Sequence, residues 1–400
     1  MRVMAWMNTP TLLRGTLALT ALFATPAAAQ TALPAPSPAS SEVAAIDTAQ
    51  PSWSDADIAA LVRAVDMAKH EGLNPADYAA KQLATLGSAS GPGRDAIASK
   101  IAMKLAHDYN EGAGTPDSNR WHFDRGDTDY RAWLAQALSK HRVDAALQDL
   151  LPQNADYAAL RNALANCTKP VRCNTLKINM NRWRRLPRDL GKRYVWVNLP
   201  SYQVNLVEDG KIEQTHKAII GKAGTKSPAF ASTITGVTVN PWWNVPQSIA
   251  SDGLAARVRA NPKAEAAKGY VGVETANGGF RVRQKPGPNN SLGRIKIEMP
   301  NDYAIYLHDT PERGLFDKDK RAFSHGCIRI QDPQGLAEAL LSPNYRPGVK
   351  EALASGDTRT IDVLPRLPVY IVYLTAEADP DAPDGVRVLN DVYGWDKGES

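Results

Sequence analysis

The chain has 400 residues, 43% of them hydrophobic and 22% charged, with a formal net charge of +5. That composition excludes a disordered or low-complexity protein, and so weak a positive balance excludes nucleic-acid binding by bulk charge. The length accommodates two domains.

The N-terminus carries Arg2 and Arg14, an apolar run from Gly15 to Thr25, and then Pro26-Ala27-Ala28-Ala29-Gln30. A basic start, a short apolar centre and small residues before a cut site read as a secretory signal peptide over 1–29. The apolar run of about eleven residues falls short of the roughly twenty that span a bilayer. Cleavage after Ala29 would remove two arginines and no acids, lowering the formal charge from +5 to +3. Residues 30–51 are rich in Ala, Pro and Ser and read as a tether.

Helical spacing begins at Ser54. Ser54-Asp55-Ala56-Asp57 has capping-box spacing, with Asp in place of Glu. Ile58, Leu61, Val62 and Val65 then recur on one face, and Gly72 with Pro75 marks a stop. Tyr130, Trp133, Leu134, Ala137 and Leu138 repeat the pattern, as do Tyr157, Leu160 and Leu164. Residues 52–174 are therefore expected to form a helical domain whose apolar stripes are core. From 175 to 400 the texture is mainly β. Strands are expected over 194–199, 203–207, 216–220, 233–239, 281–283, 295–297, 304–307, 361–364 and 369–374, with Asp209-Gly210 in a hairpin turn. Residues 240–246 read as a rigid aromatic loop, and 247–280 as a partly helical excursion from the sheet. The fold class is α+β.

Three cysteines are present. Cys167 and Cys173 are close enough in sequence to close one small disulfide loop. No nearby histidine or second cysteine pair supports zinc there. Cys327 is then unpaired, and an odd thiol in an exported chain is a reactive candidate. It sits in Ser324-His325-Gly326-Cys327-Ile328-Arg329, with His308 nineteen residues upstream. A thiol near pKa 8.5 needs an imidazole to take its proton, and acylation needs donors for the developing oxyanion. His308, at the end of a strand, is the candidate base. Gly326 leaves the backbone amides around it and Cys327 unobstructed. His325 is expected on the same side as Cys327 if the segment is extended, and Arg329 at the same alternation is suited to a carboxylate. A zinc site from His308, His325 and Cys327 lacks the usual carboxylate or closer ligand pair, so no metal or other cofactor is expected.

With these residues in view, the chain resembles the L,D-transpeptidases with a YkuD-type catalytic domain. The segments Ile178–Pro187, Asn240–Ile249, Pro286–Arg294 and Tyr306–Pro311 further resemble the YcbB-like proteobacterial branch. The resemblance implies an acyltransferase acting on peptidoglycan stem peptides as donor and acceptor in the periplasm. Cys327 would be the nucleophile and His308 the base, with His325 and Gly326 at the oxyanion site. Trp243, Ser324, Tyr306 and Arg329 would lie at the substrate cleft under a lid over 247–280. It also implies covalent inhibition by carbapenems, and 3-3 diaminopimelate cross-links ahead of 1-3 links. An exported carboxypeptidase using the same thiol is the nearest rival, and a non-catalytic wall-binding protein would need a damaged cysteine segment. The branch often carries a peptidoglycan-binding module between its two domains. Here only about ten residues, 166–175, separate them, so substrate capture would rest on the cleft, the lid or the helical domain.

Overall fold

Ser54 starts the first helix as its spacing predicts. The computed structural model describes residues 52–86 and 91–398, so the expected leader and tether lie outside the described residues. Ser54 Oγ accepts the Asp57 N–H at 3.1 Å and donates to Asp57 Oδ2 at 2.5 Å. The shorter carboxylate thus meets the capping hydroxyl itself, and it also lies 3.0 Å from His141 Nδ1. Helix α1 (Asp55–Met67) buries Ile58, Leu61, Ala64 and Val65. It packs against α2 (Ala80–Leu86), α3 (Pro92–Glu111) and α5 (Val143–Gln148), with α4 (Tyr130–Ser139) on α3 and α5, and α6 (Ala155–Ala165) on the single turn after α1. Gly72, at φ 76°, ends the single turn that follows α1.

The boundary expected at 174/175 falls inside a helix. Cys167 and Cys173 are disulfide-bonded, and α7 (Pro170–Arg184) starts within that loop and runs past it. Pro170 at the first helical turn costs no hydrogen bond, which lets the helix begin there. Its buried face carries Leu176, Met180 and Trp183 together with two arginines, so simple apolar periodicity does not mark it. Arg184 is buried and donates to Tyr157 Oη at 2.8 Å. Arg182 is also buried and pairs with Asp396 at 2.8 Å.

The remainder is a mixed sheet. Its strands in chain order are β1 (Trp121–His122), β2 (Arg193–Asn198), β3 (Gln203–Glu208), β4 (Lys211–Gly221) and β5 (Ala229–Val239). After an excursion come β9 (Ile295–Glu298), β10 (Leu307–His308), β11 (Ala322–Ser324), β12 (Ile328–Ile330) and β13 (Arg359–Val372). The spatial order is β1-β5-β13-β2-β3-β4-β12-β10-β9, and β9 returns to pair with β5, closing the sheet on itself. Closure leaves few free edges. Strand β1 comes from the helical region: Trp121 aligns with Ala229 and His122 with Phe230. Two residues carry no recognisable period, so nothing local in the sequence announces this strand. The two late strands expected over 361–364 and 369–374 are one strand, β13, with its register shifted between Asp362 and Leu367.

The excursion contains β6 (Trp243–Asn244), α8 (Gln247–Ile249), α9 (Ala255–Ala260), α10 (Pro262–Ala267), β7 (Tyr270–Glu274) and β8 (Phe280–Gln284). These strands form their own small sheet, β6-β8-β7. A second apolar cluster of Trp243, Val245, Ala250, Leu254, Val258, Val282 and Leu292 sits beneath it. Between α8 and α9 the chain kinks at Asp252 and Gly253. After β12, α11 (Pro333–Leu340) and α12 (Arg346–Ser355) follow. The C-terminal segment buries Tyr393 and Trp395 against Tyr373.

Candidate active site

Strands β10 and β12 run parallel, with Leu307 opposite Ile328 and His308 opposite Arg329. Leu307 and Ile328 are fully buried beneath the sheet. Alternation therefore sends Tyr306 and His308, and Cys327 and Arg329, to the other face. All four line one cavity of about 290 Å³ with Trp243, Ser291, Leu292, Ala304, Ser324 and His325. Among the described residues, no group of three His, Cys, Asp or Glu is placed to hold a metal.

The strand expected over 304–307 starts later than its sequence suggests. Ala304 has φ 54°, and Asn301 builds a turn beneath it: Oδ1 accepts from Tyr303 N and Ile305 N, and Nδ2 donates to Met299 O and Ile305 O. The turn aims the Ala304 carbonyl at Cys327, whose thiol donates to it at 3.6 Å. Burial raises the thiol pKa. Hydrogen bonds from the backbone and side chain of Tyr306, with Lys296 and Arg329, favour the anion and oppose that rise. Burial, with Arg329 next, lowers His308 to about 3. At neutral pH the resting pair is thus thiol and neutral imidazole. His308 Nδ1 lies 2.5 Å from the Asp309 carbonyl. A carbonyl only accepts, so Nδ1 carries the proton and Nε2 holds the basic lone pair.

Asp309 explains why His308 stays in place. It is buried, accepts from Arg294 N at 2.7 Å and Thr310 N at 2.6 Å, and pairs with Arg313. Gly293 allows this approach: a Cβ there would lie 2.3 Å from Asp309 Cγ. Arg294 in turn donates to Asn240 Oδ1. Asn290 Nδ2 donates to Pro241 O at 3.0 Å. The separate segments 240–249, 286–294 and 306–311 are therefore one interlocked support.

The expectation for the cysteine loop needs one correction. Residues 325–327 are a bend rather than an extended strand, with Gly326 at φ 118°. His325 reaches the cavity from an exposed position on its rim, not by strand alternation. Ser324, which lines the cavity, also braces the loop: its hydroxyl donates to Cys327 O at 2.6 Å and accepts Gly326 N–H at 3.1 Å. Gly326 N–H is therefore occupied, whereas Cys327 N–H has no partner among the described residues. Trp243 is buried at the cavity wall, where its indole opposes the burial that pushes the Tyr306 phenol up. Arg329 pairs with Glu312, while its buried Nε has no partner among the described residues. Asp309 and Asn290 hold the interlocked support together, and sequence reasoning missed them because their partners are remote in the chain.

Residues 192–371 match the L,D-transpeptidase catalytic domain, YkuD, and residues 46–164 match the Scaffold domain. A putative L,D-transpeptidase of Haemophilus influenzae is 32% identical over 221 residues, which cover 51% of this chain and 44% of that protein. This chain thus spans under half the length of that curated relative. Among solved structures, L,D-transpeptidase 3 from Mycobacterium tuberculosis aligns at 11% identity and a TM-score of 0.26, over 45% of this chain and 61% of that one. The catalytic domain of the E. faecium enzyme, solved acylated by ertapenem, aligns at 14% identity and a TM-score of 0.21, over 46% and 99%. The chain thus carries a Scaffold domain followed by a YkuD-type L,D-transpeptidase catalytic domain.

Proposed function

We propose that the protein is an exported peptidoglycan L,D-transpeptidase that works through a Cys327 thioester. The reading is carried by one observation: the only unpaired cysteine shares a cavity-facing sheet surface with His308, Tyr306 and Arg329. His308 Nε2 takes the thiol proton as sulfur attacks the carbonyl on the L side of an L-to-D peptide bond. The tetrahedral oxyanion is met by the free Cys327 N–H at the oxyanion site, with His325 at the rim. The C–N bond breaks, the proton on His308 passes to the leaving D-amino acid amine, and a thioester remains. A second stem's amine loses a proton to His308, attacks the thioester and regenerates the thiol. No nucleotide is consumed, which suits a periplasmic reaction.

Tyr306 and the cations Lys296 and Arg329 favour the thiolate, and the two cations also oppose the imidazolium. Their effects on the resulting ion pair therefore oppose one another. Arg329 is proposed to meet a stem carboxylate through its terminal guanidinium N–H groups, in exchange for Glu312, and Trp243 to wall the donor side chain. The donor bond favoured is that between diaminopimelate and D-Ala, giving 3-3 links. Carbapenems are expected to acylate the same sulfur.

The test incubates wild type and Cys327→Ala with a defined disaccharide-tetrapeptide and separates the products by mass spectrometry. Cross-linked dimer from wild type alone supports the reading. Tripeptide without dimer would make the protein a carboxypeptidase, 1-3 dimers would move the donor bond, and turnover by Cys327→Ala would overturn the thioester.

A further inference from the structure

Behind the cysteine loop lies the β4–β5 turn, which the chemistry above does not use. Ser227 is fully buried in it. Its hydroxyl donates to Gly326 O at 2.6 Å and accepts Gly221 N–H at 3.0 Å. The Tyr393 hydroxyl donates to Gly221 O at 2.7 Å and accepts Ser227 N–H at 3.3 Å. A Cβ on Gly221 would lie 2.2 Å from Thr225 O, so this turn closes only around glycine. The same turn grips the loop two residues earlier, since Lys222 N and Thr225 Oγ1 each donate to Ser324 O at 3.0 Å.

Gly326 C=O and Cys327 N–H belong to one peptide unit. The unit is planar and trans, so the two bonds point in opposite directions. A Gly326 carbonyl drawn toward buried Ser227 therefore turns the Cys327 N–H away from the interior. The neighbouring Gly326 N–H and Cys327 carbonyl are both held by Ser324, so rotation of the intervening unit is the remaining freedom, and Ser227 removes it.

We propose that Ser227, itself fixed by Tyr393, is a positioning residue that aims the Cys327 amide at the substrate oxyanion. The proposal rests on the thioester reading. It extends the oxyanion site to a C-terminal residue that lies outside the matched catalytic domain, which ends at 371.

The test compares two reactions of Cys327 in the full chain. Acylation by ertapenem passes through a tetrahedral oxyanion, whereas alkylation by iodoacetamide is a displacement at carbon and forms none. Both rates are read by intact mass in wild type, Ser227→Ala, Ser227→Thr and Tyr393→Phe. Ser227→Ala is expected to slow acylation by about ten- to a hundredfold, below the full loss of a donor, with alkylation within about twofold of wild type. Tyr393→Phe is expected to act in the same direction more weakly, and Ser227→Thr to restore acylation. Wild-type acylation by Ser227→Ala overturns the proposal, as does an equal slowing of both reactions, which would mean a collapsed loop. If wild type is alkylated but never acylated, the thioester reading itself fails.

Discussion

At the residue scale, Gly326 and His308 give the sharpest expectations. Gly326 has φ 118°, and an added Cβ would lie 3.2 Å from Ile305 Cδ1. Gly326→Ala should cost about 1–3 kcal/mol in denaturant unfolding and remove turnover, because relief of the strain rotates the amide beside Cys327. Burial lowers His308 to about 3 in the folded protein, well below the ordinary imidazole value of 6.5. The unfolded chain thus binds the extra proton first, so stability rises with pH across that interval and is lost as pH falls from 6.5 toward 3. Between pH 6.5 and 5, wild type should lose about 1.5 kcal/mol more than His308→Gln. Parallel losses in urea titrations of the two would refute the buried neutral imidazole. Because His308 stays neutral down to about 3, an acid limb of the rate above pH 5 must belong to another group.

At the element scale, the β10–β12 register makes the site, and the glycine-rich segment before β9 holds it. Asp309→Asn keeps the shape but removes the charge that faces Arg313 and weakens the acceptor for Arg294 N–H. About 2 kcal/mol of stability should go with it, and turnover should fall because the backbone carrying His308 loosens. Undiminished turnover with a lowered Tm would confine Asp309 to a structural role. This scale also shows what was legible. Cys327, His308, the helix caps and most strand centres carry local signals: unusual residues, capping spacing or alternation. Helix α7 hid because its buried face holds arginines, and β1 because two residues have no period. Ser227 hid for a third reason. It looks like any loop serine until Gly326, 99 positions away, is brought to its hydroxyl.

At the scale of the whole molecule, the helical and β parts are bound through polar contacts as well as a shared core. Strand β1 completes an edge of β5, and Arg188 donates to the Leu150, Tyr109 and Asn110 carbonyls. One apolar cluster runs from Trp53 through Val372 to Trp395. Unfolding should therefore be a single transition, with coincident tryptophan fluorescence and far-ultraviolet circular dichroism curves. A fragment beginning at 192 should lose most of its cooperativity. Two resolved transitions would show that the halves fold independently.

The pairing of Cys167 with Cys173 leaves one sulfhydryl in all 400 residues. A colorimetric thiol assay on unfolded, unreduced protein should accordingly return one equivalent per chain, and three after reduction. That lone group makes the protein its own burst standard. A maleimide dye would label one site stoichiometrically, and the dye excluded by prior drug treatment would count the competent molecules in any preparation.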